Sequence, residues 1–299
     1  MHTHAFGKTG LQVSGLGFGA AEIGYEGIDQ RTATRLLESA LDAGINVVDT
    51  AECYKNSEEL IGNALSHRRD DYYLFTKTGH ADGYDNPDWS FDGTLASIER
   101  SLKRLKTDTL DLVLLHSCSR AELERGDATR ALQEARQRGW TRFIGYSGDR
   151  EDALYAIESG DFDVLETSLS IADQQGIDLL LPHAQEREMG VIAKRPLANV
   201  AWKSGEQPPD STYHHEYWNR LKKLDYDFLT EDLGSAARRA MRFTLGIPGV
   251  HTLIVGTTKP ERFAQNVAVA EMGPLPGPEY ESIRHRWREM AEADWVGQT

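Results

Sequence analysis

Apolar residues gather in short blocks along this chain, and between the blocks they recur at the spacing of a helix face. Residues 13–18, 46–50, 73–77, 110–116, 142–146, 164–169, 191–193 and 252–255 each read as a strand. Several are apolar on consecutive positions, as expected of strands covered on both faces. Asp29 caps the first helix, which carries Ala33, Leu36, Leu37, Ala40 and Leu41 on one side, with Gly44 just past its end. A second helix is predicted over 57–65, and Leu95, Ile98, Leu102 and Leu105 line a third. Further helices are predicted over 129–138, 152–159, 178–188, 260–271 and from Pro278 to about Ala293. Strand–helix units in this alternation, with no second compositional zone, predict an α/β fold: one domain over residues 1–299, built as a closed parallel (β/α)8 TIM barrel. Residues 2–11, with Gly7 and Gly10, predict an N-terminal β-hairpin closing the barrel bottom. Residues 197–223 break the rhythm. They form a long segment with Pro208, Pro209, Trp202, Tyr213, Tyr217 and Trp218 on the side where strands exit, which predicts a functional loop.

Composition narrows the classes. Of 299 residues 39% are hydrophobic, enough for a sizeable core, and the net charge of −14 argues against wholesale binding to nucleic acid or an anionic membrane. The start Met1-His2-Thr3-His4 does not read as a signal peptide, and no apolar run approaches the roughly 18 residues of a membrane span. Two cysteines make no disulfide framework, which fits a reducing cytoplasm. Cys53 and Cys118 fall near the predicted mouth, as a redox pair or, more plainly, as two spectator thiols. Composition leaves the oligomeric state open.

Chemistry enters where strands end. Residues 46–50 deliver Asp49, with Tyr54 in the loop beyond; 73–77 end in Lys77; 110–116 end in His116. In a (β/α)8 barrel the strand C-termini form the active face, so these four residues should converge. A carbonyl that accepts hydride needs a proton. Tyrosine is a weak acid near neutrality, and a nearby lysine ammonium is expected to lower its pKa. A carboxylate beside the lysine holds it charged, and a neutral imidazole can bind the substrate oxygen. Taken singly, each fits a plainer role: Asp49 a cap or rim ion pair, Lys77 its partner, His116 a satisfied rim residue, Tyr54 a packing aromatic. Together, at the exits of neighbouring strands, they favour a proton-donating site. An isomerase or lyase barrel using Lys77 for a Schiff base is a third option, disfavoured because Asp49 keeps the ammonium charged. His214 and His215 are adjacent in the long segment, and no metal site is expected there.

These residues resemble the aldo-keto reductase family. Asp49-Thr50-Ala51-Glu52-Cys53-Tyr54 with Ser57-Glu58-Glu59-Leu60-Ile61-Gly62 is similar to its signature, as are Phe75-Thr76-Lys77, Leu112-Val113-Leu114-Leu115-His116 and the N-terminal Phe6-Gly7-Lys8-Thr9-Gly10-Leu11. The resemblance implies NADPH-dependent reduction of a small-molecule carbonyl, an aldehyde or ketone, with Tyr54 as acid and Lys77, Asp49 and His116 in support. It implies NADP(H) contacts at Gly19, Ala20 and Ala21; at Ser147, Gly148 and Glu166; at Lys194, Arg195, Pro196 and Leu197; and at Gly256, Thr257, Arg262, Gln265 and Asn266. Three positions depart from the family pattern. Gly148 stands for an asparagine, Glu166 for a glutamine and Lys194 for the aromatic that stacks on nicotinamide. A lysine there could reach the pyrophosphate instead, or Arg195 could stack by its guanidinium plane. These departures motivate a second reading, a cofactor-sensing regulatory barrel with little turnover. The segment around Trp295, Val296 and Gly297 is expected either to fold over the mouth or to pack outside it.

Overall fold

The computed structural model describes residues 1–81 and 83–298. A short antiparallel hairpin, β1 (Thr3–Ala5) with β2 (Gln12–Ser14), precedes the barrel. Then follow β3 (Leu16–Gly19), β4 (Val47–Asp49), β5 (Tyr73–Thr78), β6 (Leu110–His116), β7 (Thr141–Ser147), β8 (Val164–Ser168), β9 (Gly190–Lys194) and β10 (Thr252–Val255). Each pairs in parallel with the next, and β10 returns to β3, so the barrel closes. The predicted strand 13–18 is cut in two. Ser14 Oγ donates to the Leu16 carbonyl, while Ser14 N donates to Asn46 Oδ1 at 2.7 Å and Asn46 N to Ser14 Oγ at 3.1 Å. This clasp bends the chain at Gly15, leaving Val13 and Ser14 to the hairpin and Leu16 onward to the barrel.

The hairpin seals the strand N-terminal end. Phe6 is wholly buried and stacks on Phe75 at 5.9 Å, in an inner cluster with Leu11, Val13, Val47, Leu112 and Leu114. Burying such a ring stabilises by about 2–3 kcal/mol. Gly190 makes room for it, since a Cβ there would lie 2.8 Å from the Phe6 ring. Helices cover the outside with the apolar faces read from the sequence, among them Gln30–Asp42, capped by Asp29 onto Thr32 N, and Phe91–Leu105.

Some helices differ from expectation. The helix predicted over 178–188 is two, Gln175–Leu179 and Leu181–Glu186, because Pro182 opens the second and lacks an N–H to continue the first. The long segment contains a helix at His215–Leu224, and another, Leu233–Leu245, follows where none was predicted. The signal was present: Asp232 caps Gly234 N and Ser235 N, and Ala236, Ala240, Met241 and Phe243 share the buried face.

The last described residues lie across the strand C-termini. Trp295 packs on Trp287 of the helix Gly277–Met290, with ring centroids 5.4 Å apart. Gly297 N donates to Gln175 Oε1, Gln298 N to Asp173 Oδ2, and Arg220 to the Val296 carbonyl. Of the two placements expected for this segment, it takes the one over the mouth. Among the described residues no helix is long and apolar enough to cross a membrane.

Candidate active site

The parallel register sets the site. Gly19 pairs with Asp49, His116 with Ser147, Ser147 with Glu166 and Ser168 with Lys194, so these strands bring their last residues to the same rim. Lys77 Nζ hydrogen-bonds to the Asp49 carboxylate, donates to the Thr50 carbonyl at 3.0 Å and lies 3.4 Å from Glu166 Oε2. All three side chains are buried. Burial alone would lower the lysine's pKa, but Asp49 and Glu166 outweigh it and leave it raised. An amine held charged in this way is a poor nucleophile, which counts against a Schiff base.

Tyr54 is half-buried, its ring 5.5 Å from Lys77 Nζ and edge-on to His116 at 5.8 Å. The structure thus brings the four sequence-predicted residues together. One expectation is corrected. The phenol is not lowered by Lys77; burial first, then the Asp49 and Glu166 carboxylates, push it well above its ordinary value, with Arg195 opposing. The second carboxylate on Lys77 offsets the charge that was to do the lowering. His116 meets the expectation of a neutral imidazole. Burial, then the cations Lys77 and Lys194, hold its pKa well below 6.5.

Other side chains surround His116. Tyr84 OH lies 3.5 Å from its Nε2 and Cys53 Sγ 3.5 Å from its Nδ1, while His80 meets its carbonyl at 2.6 Å. Trp89 packs edge-on against His80. Cys53 and Cys118 are both free thiols with different neighbours, Cys118 lying by the Ser119 carbonyl. His214 touches Tyr213, and His215 Nε2 meets the Pro209 carbonyl.

Two of the three departures, Gly148 and Lys194, have local causes. A Cβ at position 148 would lie 2.6–2.8 Å from the Tyr146 ring and hydroxyl, and that hydroxyl donates to the Cys118 carbonyl, so only glycine fits. The next residue, Asp149, was missed. It is buried and accepts from Thr167 Oγ1, Ser168 N and Lys194 Nζ, the last at 2.9 Å. Burial works against its charge, yet Lys194, Arg195 and these donors hold it below the usual carboxylate range. The Lys194 ammonium is therefore committed to Asp149. Arg195 stacks over the Tyr213 ring at 5.2 Å and donates to Ser168 Oγ and the Gln298 carbonyl. Pro196 accepts from Thr244 Oγ1, and Leu197 packs against the core.

The remaining expected cofactor contacts fit unevenly. Ser147 Oγ and Glu166 Oε2 are buried without a hydrogen-bond partner among the described residues, on adjacent strands, as suits a carboxamide. At the other end, Arg262 and Gln265 are exposed and Asn266 half-buried on the helix Pro260–Glu271, with Thr257 capping Lys259 N. Yet the Glu22 carboxylate occupies the space beside Gly256, and Thr258 donates to Glu26. Two acids beside Gly19, Ala20 and Ala21 suit an anion poorly. Glu22 was legible in the sequence, three residues past Gly19.

Strain marks the rim. Lys55, Ser117, Arg150 and Arg195 take left-handed φ of 49°, 61°, 61° and 54°, and each directly follows Tyr54, His116, Asp149 or Lys194. Each such non-glycine turn costs about 1–2 kcal/mol.

A closed parallel barrel with a tyrosine, a lysine–carboxylate pair and a neutral histidine at its mouth defines a barrel oxidoreductase. A sequence model of the aldo/keto reductase family matches residues 15–288, and the chain belongs to that family. The uncharacterized oxidoreductase YqkF of Bacillus subtilis (strain 168) is 27% identical, covering 97% of each chain. A D-threo-aldose 1-dehydrogenase of a Pseudomonas species is 29% identical over 97% of this chain and 96% of its own. Among solved structures, an aldo-keto reductase from Bacillus halodurans in its holo form superposes with a TM-score of 0.84 at 26% identity, covering 99% of both chains. The family uses nicotinamide cofactors and acts on carbonyl and alcohol groups, and this chain is an NAD(P)H-dependent oxidoreductase of that kind.

Proposed function

We propose that the protein reduces an aldehyde or ketone to an alcohol with NADPH, Tyr54 giving the proton. The observation that carries this reading is the buried Asp49–Lys77 pair beside Tyr54 and a neutral His116. When bound, the nicotinamide supplies the hydride. His116 Nε2 can then hold the substrate oxygen once Tyr84 yields its place, and Tyr54, kept fully protonated at neutral pH, donates as charge develops on that oxygen. Ser147 and Glu166 would hold the carboxamide; Arg262, Gln265 and Asn266 would meet the adenosine phosphate at a helix N-terminus. Two free thiols fit a reducing cytoplasm.

A second reading has its own support. Glu22 and Glu26 face the loop that would take the 2′-phosphate, and the relative from a Pseudomonas species is among those named dehydrogenases. These favour NAD and the oxidation of a sugar-like hydroxyl, with Tyr54 as base. Turnover measured in both directions, with both cofactors, on aldehyde and aldose panels separates the two. In either direction Tyr54→Phe should cut kcat by about 10²–10⁴-fold while cofactor binding, followed by tryptophan fluorescence, stays intact. Wild-type kcat in that variant would remove Tyr54 from the chemistry. Tight cofactor binding with no turnover on any panel would favour a sensing barrel instead.

A further inference from the structure

Lys77 carries a single positive charge and faces two carboxylates. Asp49 accepts its hydrogen bond, and Glu166 Oε2 stands 3.4 Å away on the opposite side of the barrel. The three side chains are at most 2% exposed, so water screens none of them. One oxygen on each acid, Asp49 Oδ2 and Glu166 Oε2, has no hydrogen-bond partner among the described residues. The other charges around the cluster are engaged elsewhere. Lys194, on β9, is held by Asp149; Arg195 by Ser168, Tyr213 and Gln298; His116, on β6, is neutral; and Tyr54, above, is a phenol. Two buried carboxylates facing one counter-ion favour the uptake of a proton by one of them. Asp49 moves in that sense: burial first, then Glu166, raise it well above its ordinary value against the pull of Lys77.

We propose that Asp49 and Glu166 retain one proton between them at neutral pH, making the pair and Lys77 electrically neutral together. Glu166 then has a role of its own. A carboxyl, unlike a carboxylate, can donate a hydrogen bond. The retained proton is also a reserve for the reaction, given the reading of Tyr54 as the acid. Once Tyr54 has passed its proton to the product oxygen, Lys77 returns one to the phenolate. The O–H bond of the carboxyl pair breaks and a new N–H bond forms on the lysine. Tyrosine and ammonium are restored, the pair is left as two carboxylates, and solvent then reloads it with one proton.

Infrared difference spectroscopy of the cofactor-free protein at pH 7 tests this without turnover. With a shared proton, wild type holds one carboxyl and one carboxylate, whereas Glu166→Gln holds a carboxylate and an amide. The wild-type-minus-variant spectrum should therefore show a carboxylic acid band that shifts in D2O, with no net carboxylate band. Asp49→Asn should remove the same acid band. Loss of a carboxylate band with no acid band in the Glu166→Gln difference would overturn the proposal. Thermal melts confirm that both variants fold. If Tyr54→Phe kept full turnover while the acid band was present, the reading of Tyr54 would fail and the retained proton would stand.

Discussion

A Cβ on Gly24 would overlap the carbonyl oxygen of Tyr54 and press on Ser57 Cβ at 3.1 Å. Ser57 Oγ in turn donates to the Ala20 carbonyl at 2.8 Å. The tyrosine loop and the helix Ala21–Tyr25 thus sit at a separation only glycine allows. Gly24→Ala should push Tyr54 off its place, lowering stability by about 1–3 kcal/mol and kcat more than a surface alanine would; parallel denaturant titration and steady-state kinetics read both. At this scale the sequence carried the identities well. Asp49, Lys77 and His116 were legible because each closes an apolar run, with Tyr54 in the loop just past one, and a run's end is visible in one dimension. Asp149 was not, because its meaning lies in a partner on another strand, Lys194. The pKa of Tyr54 was misjudged for the same reason, since only folding shows that Glu166 is a second carboxylate on Lys77.

Elements were legible where burial leaves a pattern. β6 came through as a run buried at every position, and the helix Phe91–Leu105 because its buried positions follow the helix period. The β2–β3 break was hidden, since Val13 and Leu16 are both buried and only the Ser14–Asn46 clasp parts them. The crossing segment at the mouth was open to two placements, and its contacts with Arg220, Asp173, Gln175 and Arg195 decide between them. Trp295 is its apolar anchor. Trp295→Ala should cost about 3 kcal/mol, the low end for a buried aromatic cut to alanine, because the segment can detach without opening the barrel. Limited proteolysis should then clip the chain near residue 294 before the core yields; an unchanged cleavage pattern would show that the polar contacts suffice.

The whole molecule should answer to pH through buried groups that pull in opposite senses. His116 has a folded pKa well below its ordinary 6.5, so the unfolded chain binds a proton there that the native state refuses. Its contribution is present above pH 6.5 and is lost as pH falls. Asp173 is pushed up from 3.8 to about 7, chiefly by burial, so its contribution is present below pH 3.8 and is lost as pH rises from there to about 7. His116→Gln should therefore gain stability relative to wild type below pH 6.5, with a limiting slope of about 1.4 kcal/mol per pH unit. Asp173→Asn should gain relative to wild type as pH rises towards 7 and hold that gain above it. Denaturant titrations from pH 5 to 8 read both tilts, and parallel curves for variant and wild type would refute them. The left-handed turns after Tyr54, His116, Asp149 and Lys194 belong to this scale as well. A glycine at any of them would relieve the steric cost and make a sturdier protein, but it would also let the exit loop swing to either hand. With side chains at all four turns, the molecule trades durability for aim: the barrel works as a mount, and its stiffness is used up in pointing.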